Sequence, residues 1–296
     1  MSRSLYHKIS EEPPPQPRRR RLPVILAAVV VAAVLVTVPV LNRSLAEGAD
    51  PVPTATVSPS PTPEPTPTPT PAFDFSQPVP HGVSVDMDYF SDALFIGDSR
   101  TQGLRLYSGI KGATFYDYTG LSIFGVNNPG LVTVDGQSYS IVEALQKGPQ
   151  FGKVYIAFGM NELGYYNTEN YLATFGKFLD QVKEAQPNAV VYLQNLAPVD
   201  EAKCAKYGQA SCITNARVAV FNELFAQLAR EHRVCLVDVY SALSDENDGL
   251  PSEATSDGIH FQRPWYETWL ACLMSHTVDP EAYRAGQTAM EGDRES

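Results

Sequence analysis

Ala93-Leu94-Phe95-Ile96-Gly97-Asp98-Ser99-Arg100 is an apolar run that breaks at glycine and hands over to polar residues. Bounded in this way, residues 93–96 read as a buried strand, and Thr101 to Leu106 continue as a helix. Glycine permits a tight strand-to-helix turn. A serine that opens the helix then lies where backbone N–H groups point outward, a position suited to a nucleophile whose attack generates an oxyanion. On this fragment alone, Asp98 or Ser99 acting merely as a helix cap is the plainer reading.

The same alternation continues outward from this stretch. Residues 113–118, 154–158, 189–193 and 234–237 are further β-branched or apolar runs of strand length. Asp135-Gly136 marks a hairpin turn between residues 131–134 and 137–140. Leu172, Phe175, Leu179 and Val182 step by three and four residues along one helical face that stops before Pro187. Val218, Phe221, Phe225 and Leu228 trace a second such face, and Trp265 to Met274 a closing helix. Alternation of this kind predicts an α/β fold of parallel strands joined by helical crossovers, with helices on both sheet faces. Sites in such sheets lie beyond the carboxyl ends of the strands.

Three further loops stand out there. The second strand runs into Tyr118-Thr119-Gly120-Leu121-Ser122 and the third into Gly159-Met160-Asn161-Glu162, either of which taken alone is ordinary turn chemistry. Near the end stands Ser256-Asp257-Gly258-Ile259-His260-Phe261. Asp and His three residues apart can place a carboxylate on one imidazole nitrogen and leave the other as a base. His7, His81, His232 and His276 have no such partner in an equivalent loop.

Taken in order, Gly97-Asp98-Ser99, Gly120, Gly159-x-Asn161 and Asp257-x-x-His260 resemble the blocks of the SGNH hydrolases, the GDSL-type esterase and lipase superfamily. The resemblance spans roughly residues 90 to 275. It implies a three-layer α/β/α, flavodoxin-like fold with a five-stranded parallel sheet. It makes Ser99 the nucleophile, His260 its base and Asp257 the orienting carboxylate. The N–H of Ser99, the N–H of Gly120 and the side-chain amide of Asn161 would form the oxyanion hole. Two positions depart from the family pattern: Arg100 stands where leucine is usual, and Glu162 where aspartate is common. No Gly-x-Ser-x-Gly elbow is present, which argues against the other common serine-esterase fold.

The implied activity is ester hydrolysis through an acyl-enzyme, with no metal or organic cofactor required. The expected substrate is an O-acetylated glycan of the cell envelope. The alternatives are a lysophospholipase or lipase acting on a lipid ester, a transferase moving acyl groups between glycans, and an inactive surface-binding module that keeps the fold.

Outside these blocks the chain is organised by composition. Of 296 residues, 19% are charged and 44% hydrophobic, which is ordinary globular usage and excludes wholesale disorder. The net charge of −11 makes the chain a poor candidate for nucleic-acid binding. Residues 1–21 form a basic leader of +4, leaving 16 basic against 31 acidic residues beyond it. Residues 22–41 carry no charge and at about 1.5 Å per residue would span a bilayer core. Arg18 to Arg21 on one side only would hold the N-terminus in the cytoplasm and send the remainder outside. A cleavable signal peptide, cut near Ser44-Leu45-Ala46, is the competing reading.

Residues 42–80 are expected to be a disordered Pro/Thr-rich stalk. Proline at alternate positions favours extended polyproline II, and about twenty such residues reach on the order of 60 Å. The catalytic domain is expected over residues 81–278, with a tail at 279–296. Cys204 and Cys212 sit in a polar stretch where a disulfide would close a short loop, whereas Cys235 and Cys272 have apolar neighbours. No spacing suggests zinc.

Overall fold

A computed structural model describes residues 70–288. The charged leader, the apolar run at 22–41 and most of the Pro/Thr-rich stretch lie outside the described residues. Among the described residues no helix is long and apolar enough to cross a membrane.

Five parallel strands make the central sheet: β1 (Ala93–Gly97), β2 (Thr114–Asp117), β5 (Lys153–Ala157), β6 (Val190–Gln194) and β7 (Cys235–Val237), in the order β2-β1-β5-β6-β7. The expected hairpin forms from β3 (Val132–Val134) and β4 (Gln137–Tyr139), antiparallel and separate from the main sheet. Its turn places Asp135 and Gly136 at φ 49° and 77°, the left-handed region that this residue pair tolerates.

Side chains alternate across the sheet, so each strand serves two cores. Leu94, Ile96, Val154, Ile156, Val191 and Leu193 face one side and pack with α2 (Ile141–Lys147), α3 (Thr168–Ala185) and α5 (Asn215–His232). The other side presents an aromatic row set by the strand register. Phe115, Phe95, Tyr155 and Tyr192 are successive partners, and their rings stack at centroid distances of 4.8, 4.8 and 4.4 Å. That face is covered by α1 (Ser99–Tyr107), α6 (Val239–Leu243), α7 (Arg263–Ser275) and α8 (Pro280–Thr288). The three layers and five parallel strands are those expected of the sequence.

The domain is wider at both ends than composition suggests. Phe75 and Val79, expected in the stalk, are buried in the second core. The Val79 N–H donates to Leu236 O of β7 at 2.8 Å, and the Phe73 N–H to Ala282 O of α8 at 2.9 Å. Phe75 meets Tyr283 edge-on at 5.6 Å. The expected boundaries at 80/81 and 278/279 are therefore corrected: the N-terminal strap and the C-terminal helix lock each other onto the sheet edge. Burying a large apolar side chain is worth about 1.5–3 kcal/mol, which explains why a proline-flanked segment orders here.

The expected Cys204–Cys212 disulfide is also corrected, since both cysteines are free. The polar stretch contains a helix, α4 (Glu201–Lys206), capped by the Asp200 side chain. The helix turns Cys204 inward beneath Gly258, whereas Cys212 Sγ faces Gly164 on a different loop.

Candidate active site

β1 delivers the first block. The Asp98 side chain accepts from the Arg100 N–H at 2.9 Å and caps α1, which begins at Ser99. The preceding Gly97 is required by space, because a Cβ there would meet the Thr101 side chain and, at 2.5 Å, Ala157 O. Asp98 is therefore the cap, and Ser99 opens the helix with its hydroxyl left for another partner.

The last block folds over it. Ser99 Oγ lies 2.8 Å from His260 Nε2, and His260 Nδ1 lies 2.7 Å from Asp257 Oδ2. The other carboxylate oxygen, Oδ1, accepts the N–H groups of Ile259 and His260, each at 2.9 Å. Three residues are thus enough for one carboxylate to hold both the loop backbone and the ring. Burial alone would raise the Asp257 carboxyl, but the hydrogen bonds from the His260 ring and from the two backbone N–H groups outweigh it and hold the group at about 2. Gly258 between them has φ 94°, and a Cβ there would lie 2.6 Å from Cys204 N. Glycine is the residue that lets this loop cross α4.

The middle blocks close the other side. The Tyr118 N–H donates to Gly97 O at 3.2 Å, which brings the β2 loop against β1. Gly120 has φ 74°. Asn161 Nδ2 donates to Leu121 O at 2.8 Å and, more weakly, to Asp98 Oδ2 at 3.4 Å. Gly159 has φ 120°, and a Cβ would sit 2.9 Å from the Phe225 ring.

The two departures from the family pattern are both buried. Arg100 is 4% exposed and donates to three backbone carbonyls: Ile259 O at 3.1 Å, Ala197 O at 3.2 Å and Pro198 O at 3.4 Å. Its guanidinium also lies 4.9 Å from the Phe261 ring centroid. It ties the His260 loop to the end of β6. Burial lowers its pKa, and nearby Asp98 opposes the shift. Burial likewise pushes the Asp98 carboxyl up, against the Arg100 N–H and guanidinium. Glu162 accepts the Ile123 N–H at 2.5 Å through Oε1, while Oε2 has no hydrogen-bond partner among the described residues. Burial raises its carboxyl to about 7, against the pull of the Ile123 N–H. Side chains 161 and 162 thus clamp residues 121 and 123 of the loop that carries Gly120. The sequence flagged Arg100 and Glu162 as departures, but nothing in it indicated these contacts.

The sequence profile of the GDSL-like Lipase/Acylhydrolase family matches residues 95–267, more than half of the chain. The chain belongs to this family. Among solved structures, it is similar to a Streptococcus pneumonia protein provisionally described as a platelet activating factor. That match has 23% identity and a TM-score of 0.50, covering 62% of this chain and 81% of the other. It is also similar to a GDSL-like lipase from Bacteroides thetaiotaomicron, at 15% identity and a TM-score of 0.47, covering 63% and 87%. At these identities the likeness is one of fold. A search of curated proteins returns no match.

Proposed function

We propose that the chain is a serine esterase that works through an acyl-enzyme, with Ser99 as nucleophile, His260 as general base and Asp257 as its orienting carboxylate. The carrying observation is the unbroken chain Ser99 Oγ–His260 Nε2 at 2.8 Å and His260 Nδ1–Asp257 Oδ2 at 2.7 Å. Ser99 attacks the ester carbonyl while His260 Nε2 takes its proton and then passes it to the departing alcohol. Asp257, ionised throughout the neutral range, accepts from Nδ1–H and steadies the imidazolium. Water repeats the sequence to release the acid.

The oxyanion is received by the N–H groups of Ser99 and Gly120 and by Asn161 Nδ2. Leu121 O orients the Asn161 amide through one hydrogen, and the second, held only loosely by Asp98, turns to the oxyanion. Each such donor is worth about 10²–10³ in rate.

The substrate in this reading is an O-acetylated glycan of the cell envelope, met on the outer side of a membrane in which residues 22–41 anchor the chain. The Pro/Thr-rich composition after that run, which as extended chain would reach on the order of 60 Å, favours a polymer away from the bilayer over a lipid within it. Incubation of the chain with O-acetylated peptidoglycan and, separately, with lysophospholipid tests the choice. Acetate release lost in Ser99→Ala is the expected result. Fatty-acid release without acetate would replace the glycan by a lipid.

A further inference from the structure

Beyond the reacting groups, the described residues hold few exposed large hydrophobic side chains, and these divide by type and place. The aliphatic ones are Val83 on the N-terminal strap, Leu106 at the end of α1 and Val220 on α5. Of the five aromatic ones, four lie on the loops that surround Ser99: Tyr118, 51% exposed; Phe124, 40%; Tyr166, 72%; and Tyr207, 55%. Exposed rings in such a concentration mark a contact surface.

Their strands place them on both sides of the nucleophile. Tyr118 and Phe124 follow β2, Tyr166 follows β5 and Tyr207 ends α4, the helix after β6, while Ser99 follows β1, between β2 and β5. Adjacent strands lie about 4.8 Å apart, so the carboxyl edge from β2 to β6, from which these segments rise, is ~14 Å wide. That is the reach of a short run of sugar units.

Three of the four rings are also held in place. Phe124 packs against Tyr165 at 4.7 Å. The Arg217 guanidinium lies 4.6 Å from the Tyr166 centroid and donates to Leu163 O at 3.0 Å and Tyr165 O at 2.9 Å, which fixes the loop to α5. Lys206 Nζ lies 5.1 Å from the Tyr207 ring, and Gln209 of the same loop reaches Asp257 O at 3.5 Å. Rings fixed beforehand lose little entropy on binding.

We infer that Tyr118, Phe124, Tyr166 and Tyr207 form subsites for a polysaccharide chain laid across the Ser99 site, their faces against the C–H faces of successive sugar rings. The inference rests on the esterase reading for its orientation and names the glycan subsites of the same site. Three of the four are tyrosines, whose hydroxyls suit a wet, hydroxyl-rich ligand. The rim carries none of the exposed aliphatic side chains, which a lipid surface would call for.

The test uses the full chain carrying Ser99→Ala, so that binding is read without turnover and stands apart from the esterase assay. Co-sedimentation with O-acetylated peptidoglycan sacculi and binding to acetylated xylan are measured, with phosphatidylglycerol vesicles as the lipid arm. Adding Phe124→Ala or Tyr166→Ala should weaken glycan binding about tenfold. Tyr166→Phe should restore it, and Val220→Ala on the helix should leave it unchanged. In the chain with Ser99 intact, the ratio of polymer to p-nitrophenyl acetate turnover should fall with the same ring variants. Failure to bind either glycan, binding indifferent to the rings, or ring-dependent binding to vesicles alone would each overturn the inference. Loss of p-nitrophenyl acetate turnover in the wild-type chain would instead count against the esterase reading.

Discussion

Replacing Glu162 by glutamine removes an ionisable group from a place where its charge is costly. In the folded chain this residue is 2% exposed, with Oε1 held by the Ile123 N–H and Oε2 unpartnered among the described residues. Burial lifts its carboxyl from an ordinary 4.5 to about 7. Between those values the unfolded chain has released the proton and the folded chain still holds it. Stability contributed by this group is therefore complete below the lower value and declines by about 1.4 kcal/mol per pH unit as pH rises. The loss levels off once pH passes the folded value, at a total on the order of 3 kcal/mol.

Glutamine keeps an acceptor for the Ile123 N–H and cannot ionise, so the variant lacks this slope. Urea unfolding of the wild-type and Glu162→Gln chains from about pH 4.5 to about pH 8 should show the stability difference shift toward the variant by ~3 kcal/mol. Parallel pH profiles would refute the reasoning, because the carboxyl would then be ionised in the fold at no cost.

Other substitutions probe the remaining contacts. Arg100→Leu, which restores the usual family residue, should cost about 3 kcal/mol in urea unfolding. It strips the donors from Ile259 O, Ala197 O and Pro198 O and leaves Asp98 without its cation. Asn161→Ala should lower kcat by about 10²–10³ on p-nitrophenyl acetate with a smaller change in KM, since its amide serves charge that appears in the transition state. Deleting residues 1–80 should lower the thermal midpoint relative to deleting residues 1–72, because the larger cut removes the buried Phe75 and Val79.

The parts of the fold carried by local pattern were legible from the residues. The apolar runs ending at Ile96, Phe158 and Leu193 hold strands because they are buried on both faces, and the Leu172–Val182 and Val218–Leu228 spacings mark one side of two long helices. The helix α4 escaped notice because six residues give no period to read. Its formation turned Cys204 away from Cys212, which is why a loop-closing disulfide was a reasonable expectation and still wrong. The order of Phe75 and Val79 was hidden by their proline neighbours, since their partners Leu236 and Tyr283 lie far along the chain.

At the candidate site, the Asp257–His260 pairing was readable because four consecutive residues of one loop contain it. The Arg100 contacts were not. Their acceptors are backbone carbonyls, which any residue supplies, gathered from two distant loops. The same holds for the Glu162 clamp on Ile123, where a charged side chain is buried by packing rather than by any pattern around it.

The central claim is that Ser99, activated by His260, performs the chemistry. Hydrolysis of p-nitrophenyl acetate by the full chain carrying Ser99→Ala tests it most directly. The account predicts a fall in kcat on the order of 10³ or more, matched by His260→Ala because members of such a unit fail together. A Ser99→Ala chain that hydrolysed the ester at the wild-type rate would contradict it.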